Sequence, residues 1–143
     1  MSKKTPLVLV VDDEAAERQK IAEVLAERGF PVLMAADYLE AIDAFEKHAD
    51  EIGLALLDVA LPGKNGVDIA KAILSRRPDM RILFISGHVG ASVIRFHGVE
   101  ANDAHFLQKP FDRATLKRRI DEALCSTDRL SRTLSAGIAS DRD

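Results

Sequence analysis

Four short apolar runs each end on polar residues: Leu7-Val8-Leu9-Val10-Val11 before Asp12 and Asp13, Leu54-Ala55-Leu56-Leu57 before Asp58, Ile82-Leu83-Phe84-Ile85 before Ser86, and Phe106-Leu107 shortly before Lys109. Continuous apolar runs of this length suit strands covered on both faces, as in a parallel sheet between two helix layers. Between them, apolar positions recur with helical spacing: Ile21, Val24 and Leu25; Ala41, Ile42 and Phe45; Val67, Ala70, Ile73 and Leu74; Leu116, Ile120, Ala123 and Leu124. Each set predicts one buried stripe on an amphipathic helix. Gly29 is placed to end the first helix, Asp37 to begin the second, and Pro78 follows the third.

Strand and helix therefore alternate five times. Helical connections of ten to fifteen residues require successive strands to lie parallel with right-handed crossovers. The expected fold is α/β: a doubly wound, five-stranded parallel sheet in a flavodoxin-like (βα)5 three-layer sandwich. Its weakest element is a fourth helix over residues 89–98, anchored only by Val93, Ile94 and Phe96, with Gly87 and Gly90 near its start. That segment is expected to be short or mobile.

With 143 residues, the chain has room for one core. Apolar residues thin out after Cys125, so residues 1–125 are read as the domain and 126–143 as a flexible tail. A net charge of −3 gives no basic bias toward nucleic acid. The single cysteine, Cys125, rules out an internal disulfide. No apolar run approaches membrane-spanning length, and Asp12-Asp13-Glu14 interrupts the first run too early for a secretory signal, which points to the cytoplasm.

In open α/β sheets the carboxyl ends of the strands border the ligand crevice, so Asp12, Asp13, Asp58, Ser86 and Lys109 are expected to converge. Three carboxylates within about 5 Å repel by roughly 3 kcal/mol per pair at an effective dielectric near 20. They call for a cation or a proton. An all-oxygen, partly hydrated site suits Mg²⁺, with a position left for a phosphate oxygen. Asp58 is then placed to be a nucleophile forming an acyl phosphate, Lys109 to supply a mobile positive charge, and Ser86 a hydroxyl donor. Lys109-Pro110 is a candidate cis peptide.

The blocks Val10-Val11-Asp12-Asp13-Glu14, Asp58-Val59-Ala60-Leu61-Pro62-Gly63-Lys64-Asn65-Gly66, Ile85-Ser86-Gly87 and Lys109-Pro110-Phe111 together closely resemble receiver domains of two-component response regulators, over roughly residues 6 to 125. The resemblance implies a phosphorelay module in which Asp58 accepts a phosphoryl group from a histidine kinase or a phosphotransfer protein. It implies Mg²⁺ held by Asp13 directly, Asp12 through water, Asp58, and the Ala60 backbone carbonyl. Ser86, Lys109 and Phe106 become switch residues, with Phe106 turning inward and the signal leaving through the face of the fourth helix, fifth strand and fifth helix. Such a module turns over its own phosphate without being a conventional enzyme. Its partners are a kinase or phosphotransfer protein, a downstream protein target, and for some members a second copy.

Two features depart from the family pattern. Phe106 stands where a tyrosine is frequent, and Val99-Glu100-Ala101-Asn102-Asp103-Ala104 replaces the usual Gly-Ala step before the fifth strand. Ala60 and His88 sit where family members tune dephosphorylation. Two other classes compete: a receiver-like module working by binding alone, and a haloacid-dehalogenase-like phosphatase. The latter needs Asp-x-Asp at its nucleophile, whereas this chain reads Asp58-Val59-Ala60. The remaining histidines show no ligand spacing. The basic stretch Arg113, Lys117, Arg118 and Arg119 reads first as a solvated helix face and second as a docking surface.

Overall fold

The computed structural model describes residues 5–87, 99–100, 105–125 and 131–132. In chain order its elements are β1 (Leu7–Val11), α1 (Ala15–Glu27), β2 (Val32–Ala35), α2 (Tyr38–Lys47), β3 (Ile52–Asp58), α3 (Gly66–Arg76), β4 (Arg81–Ser86), β5 (Val99–Glu100), β6 (Phe106–Gln108), α4 (Arg113–Cys125) and β7 (Ser131–Arg132). The strand predicted at Phe106-Leu107 is β6, and the last predicted helix is α4. The fourth predicted helix, 89–98, and His88 lie outside the described residues.

Five strands form one sheet in the order β2-β1-β3-β4-β6. All four pairings are parallel. Successive side chains point to opposite faces of a strand, and the core divides accordingly. Leu9, Val11, Ala55, Leu57 and Phe84 pack with Ala41 and Phe45 of α2 and with Ala70 and Ile73 of α3. Val8, Val10, Leu54, Leu56, Leu83 and Ile85 pack with Ile21, Val24 and Leu25 of α1 and with Leu116 and Ile120 of α4. Beyond their first one or two residues, β1, β3 and β4 are buried on both faces, which accounts for their unbroken apolar runs.

The helix ends follow their local chemistry. Asp37 caps α2 by accepting a hydrogen bond from the Glu40 amide at 2.9 Å. Asn65 and Asp68 form a reciprocal capping box at the start of α3. Gly29, just beyond α1, has φ +86°, a conformation that side chains with a Cβ rarely adopt.

Residues 131–132 fall in the segment expected to be a flexible tail. Their backbone pairs antiparallel with Val99–Glu100, in the register Val99 with Arg132 and Glu100 with Ser131. No apolar pattern marks this pairing, since a ladder needs only backbone groups. Among the described residues, no helix is long and apolar enough to cross a membrane.

Candidate functional site

Strand register assembles the site. Val11 pairs with Leu57, so Asp12, the next residue, comes level with Asp58. Asp58 pairs with Ile85 and Ser86 with Gln108, which brings Ser86 and Lys109 to the same edge. β1 and β3 are neighbours although β2 lies between them in sequence, so this edge is a topological switch point. An open cleft of about 540 Å³ lies there, lined by residues that include Asp13, Asp58, Ala60, Ser86 and Lys109.

Asp12 is fully buried and Asp58 is 3 % exposed, whereas Asp13 is open to solvent. One carboxylate oxygen from each of these three residues lies within 4.8 Å of the others. Lys109 Nζ donates to Asp58 Oδ2 at 3.0 Å and stands 3.5 Å from Asp12 Oδ2. The Ala60 amide donates to Asp58 Oδ1 at 2.9 Å, and the Glu14 amide donates to Asp12 Oδ1 at 2.9 Å. Asp12 Oδ2 has no hydrogen-bond partner, so a single ammonium at ion-pair distance does not satisfy it.

Burial, and then the negative charge of Asp58, raise the Asp12 pKa to about 6, against the opposing Glu14 amide and Lys109 charge. Burial works against the Lys109 charge, but the hydrogen bond and charge of Asp58, with the charge of Asp12, outweigh it and leave the ammonium pKa raised. The orphaned Asp12 oxygen, the all-oxygen donor set and the opening toward solvent fit a hard divalent cation.

Ser86 is buried and is among the residues lining the cleft. Its carbonyl accepts the Lys109 amide at 2.8 Å, which fixes where the lysine leaves the sheet. The Lys109–Pro110 peptide is cis. Phe106 is half-buried, its ring centroid 5.8 Å from that of Phe84. Phe111 is buried against α1 and α4 as a core aromatic.

Three residues support the site without belonging to the candidate set, and of these only Gly66 falls within the quoted motif blocks. Arg18 Nη1 donates to the Asp12 carbonyl at 2.6 Å, and Lys20 Nζ donates to the Phe111 carbonyl at 2.7 Å. Gly66 packs where any Cβ would collide with the Asp58 carbonyl. The first two are helix-surface cations that look solvated in one dimension; Gly66 carried a signal, as a glycine directly after the capping Asn65. The basic stretch on α4 is engaged within the chain: Arg113 pairs with Glu23 and Glu27, Lys117 with Glu27, and Arg118 and Arg119 with Glu122.

Residues 8–121 match the family described as response regulator receiver domain. The chain is 31 % identical over 121 residues to sensor kinase CckA of Brucella abortus, covering 85 % of this chain and 13 % of that protein. It is 28 % identical over 138 residues to aerobic respiration control protein ArcA of Escherichia coli, covering 96 % of this chain and 54 % of ArcA. The chain thus spans about half of one of these relatives and a small part of the other. A response regulator receiver domain protein from Clostridium thermocellum superposes with a TM-score of 0.72 at 26 % identity, covering 83 % of this chain and 94 % of that one.

Proposed function

The chain belongs to the response regulator receiver domain family of two-component phosphorelay signalling, and from that premise we propose that Asp58 is its phosphoacceptor and Mg²⁺ its metal. The observation that carries this reading is the convergence of Asp12, Asp13, Asp58 and Lys109 around a buried, unsatisfied carboxylate oxygen at an open cleft.

Asp12, Asp13, Asp58 and the Ala60 carbonyl would hold the ion, Asp12 mainly through water. When bound, Mg²⁺ supplies neutralisation of the negative charge that phosphoryl transfer brings into the site. The residues do the rest. Asp58 attacks phosphorus with a carboxylate oxygen; the bond from phosphorus to the donor, a histidine nitrogen or a small acyl phosphate, breaks with its electron pair leaving to the donor. The Ala60 amide orients the Asp58 carboxylate for that attack. Lys109, already paired with Asp58, moves its ammonium into an ion pair with a phosphoryl oxygen, and the Ser86 hydroxyl donates to another.

Engagement of Ser86 by the phosphoryl group, with Phe106 turning inward, gives the site its readout at the β6 side of the sheet. That shift would be a change in population between two states, read by a downstream protein or a second copy. Small, exposed Ala60 leaves the attacking water unobstructed in the return to carboxylate, and His88 would share in tuning it. Residues 1–125 form the signalling unit, with 126–143 as its extension, working in the cytoplasm with a histidine kinase or phosphotransfer protein.

Intact mass after incubation with acetyl phosphate tests the reading. Wild type with Mg²⁺ should gain one phosphoryl group, and neither Asp58→Asn nor a chelated sample should. An equal gain in Asp58→Asn would reject Asp58 as acceptor.

A further inference from the structure

We propose that Lys20 is a positioning residue, clamping the loop that carries Lys109 onto α1 so that the Lys109 ammonium stays on Asp58. The inference rests on the phosphoacceptor reading for its consequence, though not for its geometry.

Lys20 lies 91 positions from Phe111 in sequence and meets it twice. Its Nζ donates to the Phe111 carbonyl at 2.7 Å and stands 4.7 Å from the centroid of the Phe111 ring. A single flexible ammonium thus binds both the backbone and the side chain of one residue, through a charge-assisted hydrogen bond and a cation–π contact. Phe111 is buried in the core between α1 and α4, so the clamp closes on a fixed point.

Among the described residues, the loop's other polar ties lie to either side of this point. On the sheet side, the Lys109 amide donates to the Ser86 carbonyl at 2.8 Å. On the helix side, Asp112 starts α4 by accepting from the Thr115 amide at 2.8 Å. Further along, Arg113 pairs with Glu23 and Glu27 of α1. Lys20 therefore supplies this loop's α1 contact nearest Lys109, and only Pro110 separates its point of attachment from Lys109. A long side chain such as Lys109 has many rotamers, and the fraction of time its ammonium spends 3.0 Å from Asp58 depends on where its own backbone is held. Of the other residue types, arginine alone combines the reach to donate to the Phe111 carbonyl with a permanent positive charge facing the ring, and it is the conservative replacement.

The test compares wild type with Lys20→Met and Lys20→Arg in the full chain, using two probes. The first is the initial rate of phosphoryl uptake from acetyl phosphate with Mg²⁺. The second is acetylation of individual lysines by a limiting amount of N-hydroxysuccinimidyl acetate, without phosphate donor or metal, read by peptide mass spectrometry with Lys47 and Lys71 as internal references. In Lys20→Met, Lys109 should label about five-fold faster than in wild type while Lys47 and Lys71 are unchanged, and phosphoryl uptake should fall by about the same factor. Lys20→Arg should restore most of both.

Unchanged labelling of Lys109 in Lys20→Met would overturn the proposal, whatever happens to phosphoryl uptake, because Lys20 would then act elsewhere. So would equal acceleration at all three lysines, which reports general loosening. If wild type takes up no phosphoryl group, the phosphoacceptor reading fails by itself, and the labelling arm still decides whether Lys20 positions Lys109.

Discussion

Lys109 Nζ sits 3.0 Å from Asp58 Oδ2 and 3.5 Å from Asp12 Oδ2, so one ammonium is shared by two buried carboxylates. It occupies the place where a cation's charge is needed and where a phosphoryl group would arrive. A bound metal would therefore compete with the lysine for the same carboxylates. Lys109→Ala should bind Mg²⁺ a few-fold more tightly than wild type while phosphoryl uptake falls roughly ten-fold or more, equivalent to at least about 1.4 kcal/mol of barrier. Calorimetric Mg²⁺ titration and acetyl phosphate kinetics on the same sample would show the two effects moving in opposite directions.

The raised Asp12 pKa sets a pH dependence. Between the ordinary aspartate value of 3.8 and about 6, the unfolded chain has released the Asp12 proton and the folded protein has kept it. The unfolded state then binds fewer protons, so stability falls as pH rises through this window and is level above it, a loss of roughly 3 kcal/mol from this group alone. Mg²⁺ should reverse the loss by replacing the proton. The stabilisation given by saturating Mg²⁺ in urea unfolding should therefore be small at pH 5 and larger at pH 7. Asp12→Asn should remove most of the difference and should be the more stable protein at pH 7 without metal.

Gly66 meets the backbone of Asp58, not a flexible side chain, so an added methyl has nothing soft to displace. Gly66→Ala should lose about 1–3 kcal/mol of stability through overpacking. Because the displaced group is the Asp58 carbonyl, phosphoryl uptake should fall as well. Urea midpoints and uptake rates measured together check both parts.

At the opposite face of the sheet from α1, Asp37→Ala removes the hydrogen bond that the Asp37 side chain accepts at the start of α2. It should cost about 1 kcal/mol in urea unfolding and leave phosphoryl uptake unaltered. A loss of uptake would mean that α2 reaches the site in a way its contacts do not indicate.

The legibility of the fold follows burial. β1, β3 and β4 are covered on both faces and read directly as apolar runs. β2 is an edge strand in which Val32 and Leu33 are half-buried and Met34 is 49 % exposed; its run Val32-Leu33-Met34-Ala35 is apolar too, but it lies at the sheet edge and ends on none of the candidate site residues. The stripes on α1, α2, α3 and α4 were visible because Ile21, Phe45, Ile73 and Ile120 each face one layer of core. The site residues were visible because each follows directly or closely on a strand that stops. Arg18 and Lys20 were not, because their carbonyl partners are fixed by the tertiary fold and leave no mark on the spacing of either residue. The pairing of Ser131–Arg132 with Val99–Glu100 was hidden for a related reason, since its ladder joins backbone groups far apart in sequence.

The central claim is that phosphoryl transfer ends on the Asp58 carboxylate. An acyl phosphate, unlike a phosphoester or a phosphoramidate, is reduced by borohydride to an alcohol, so the acceptor can be read residue by residue. Wild type treated with acetyl phosphate and Mg²⁺, reduced, digested and sequenced by mass spectrometry should show homoserine at position 58 and unmodified aspartate at 12 and 13. Homoserine at position 12 or 13 with Asp58 intact, or a phosphoryl group that survives reduction on another residue, would contradict the account.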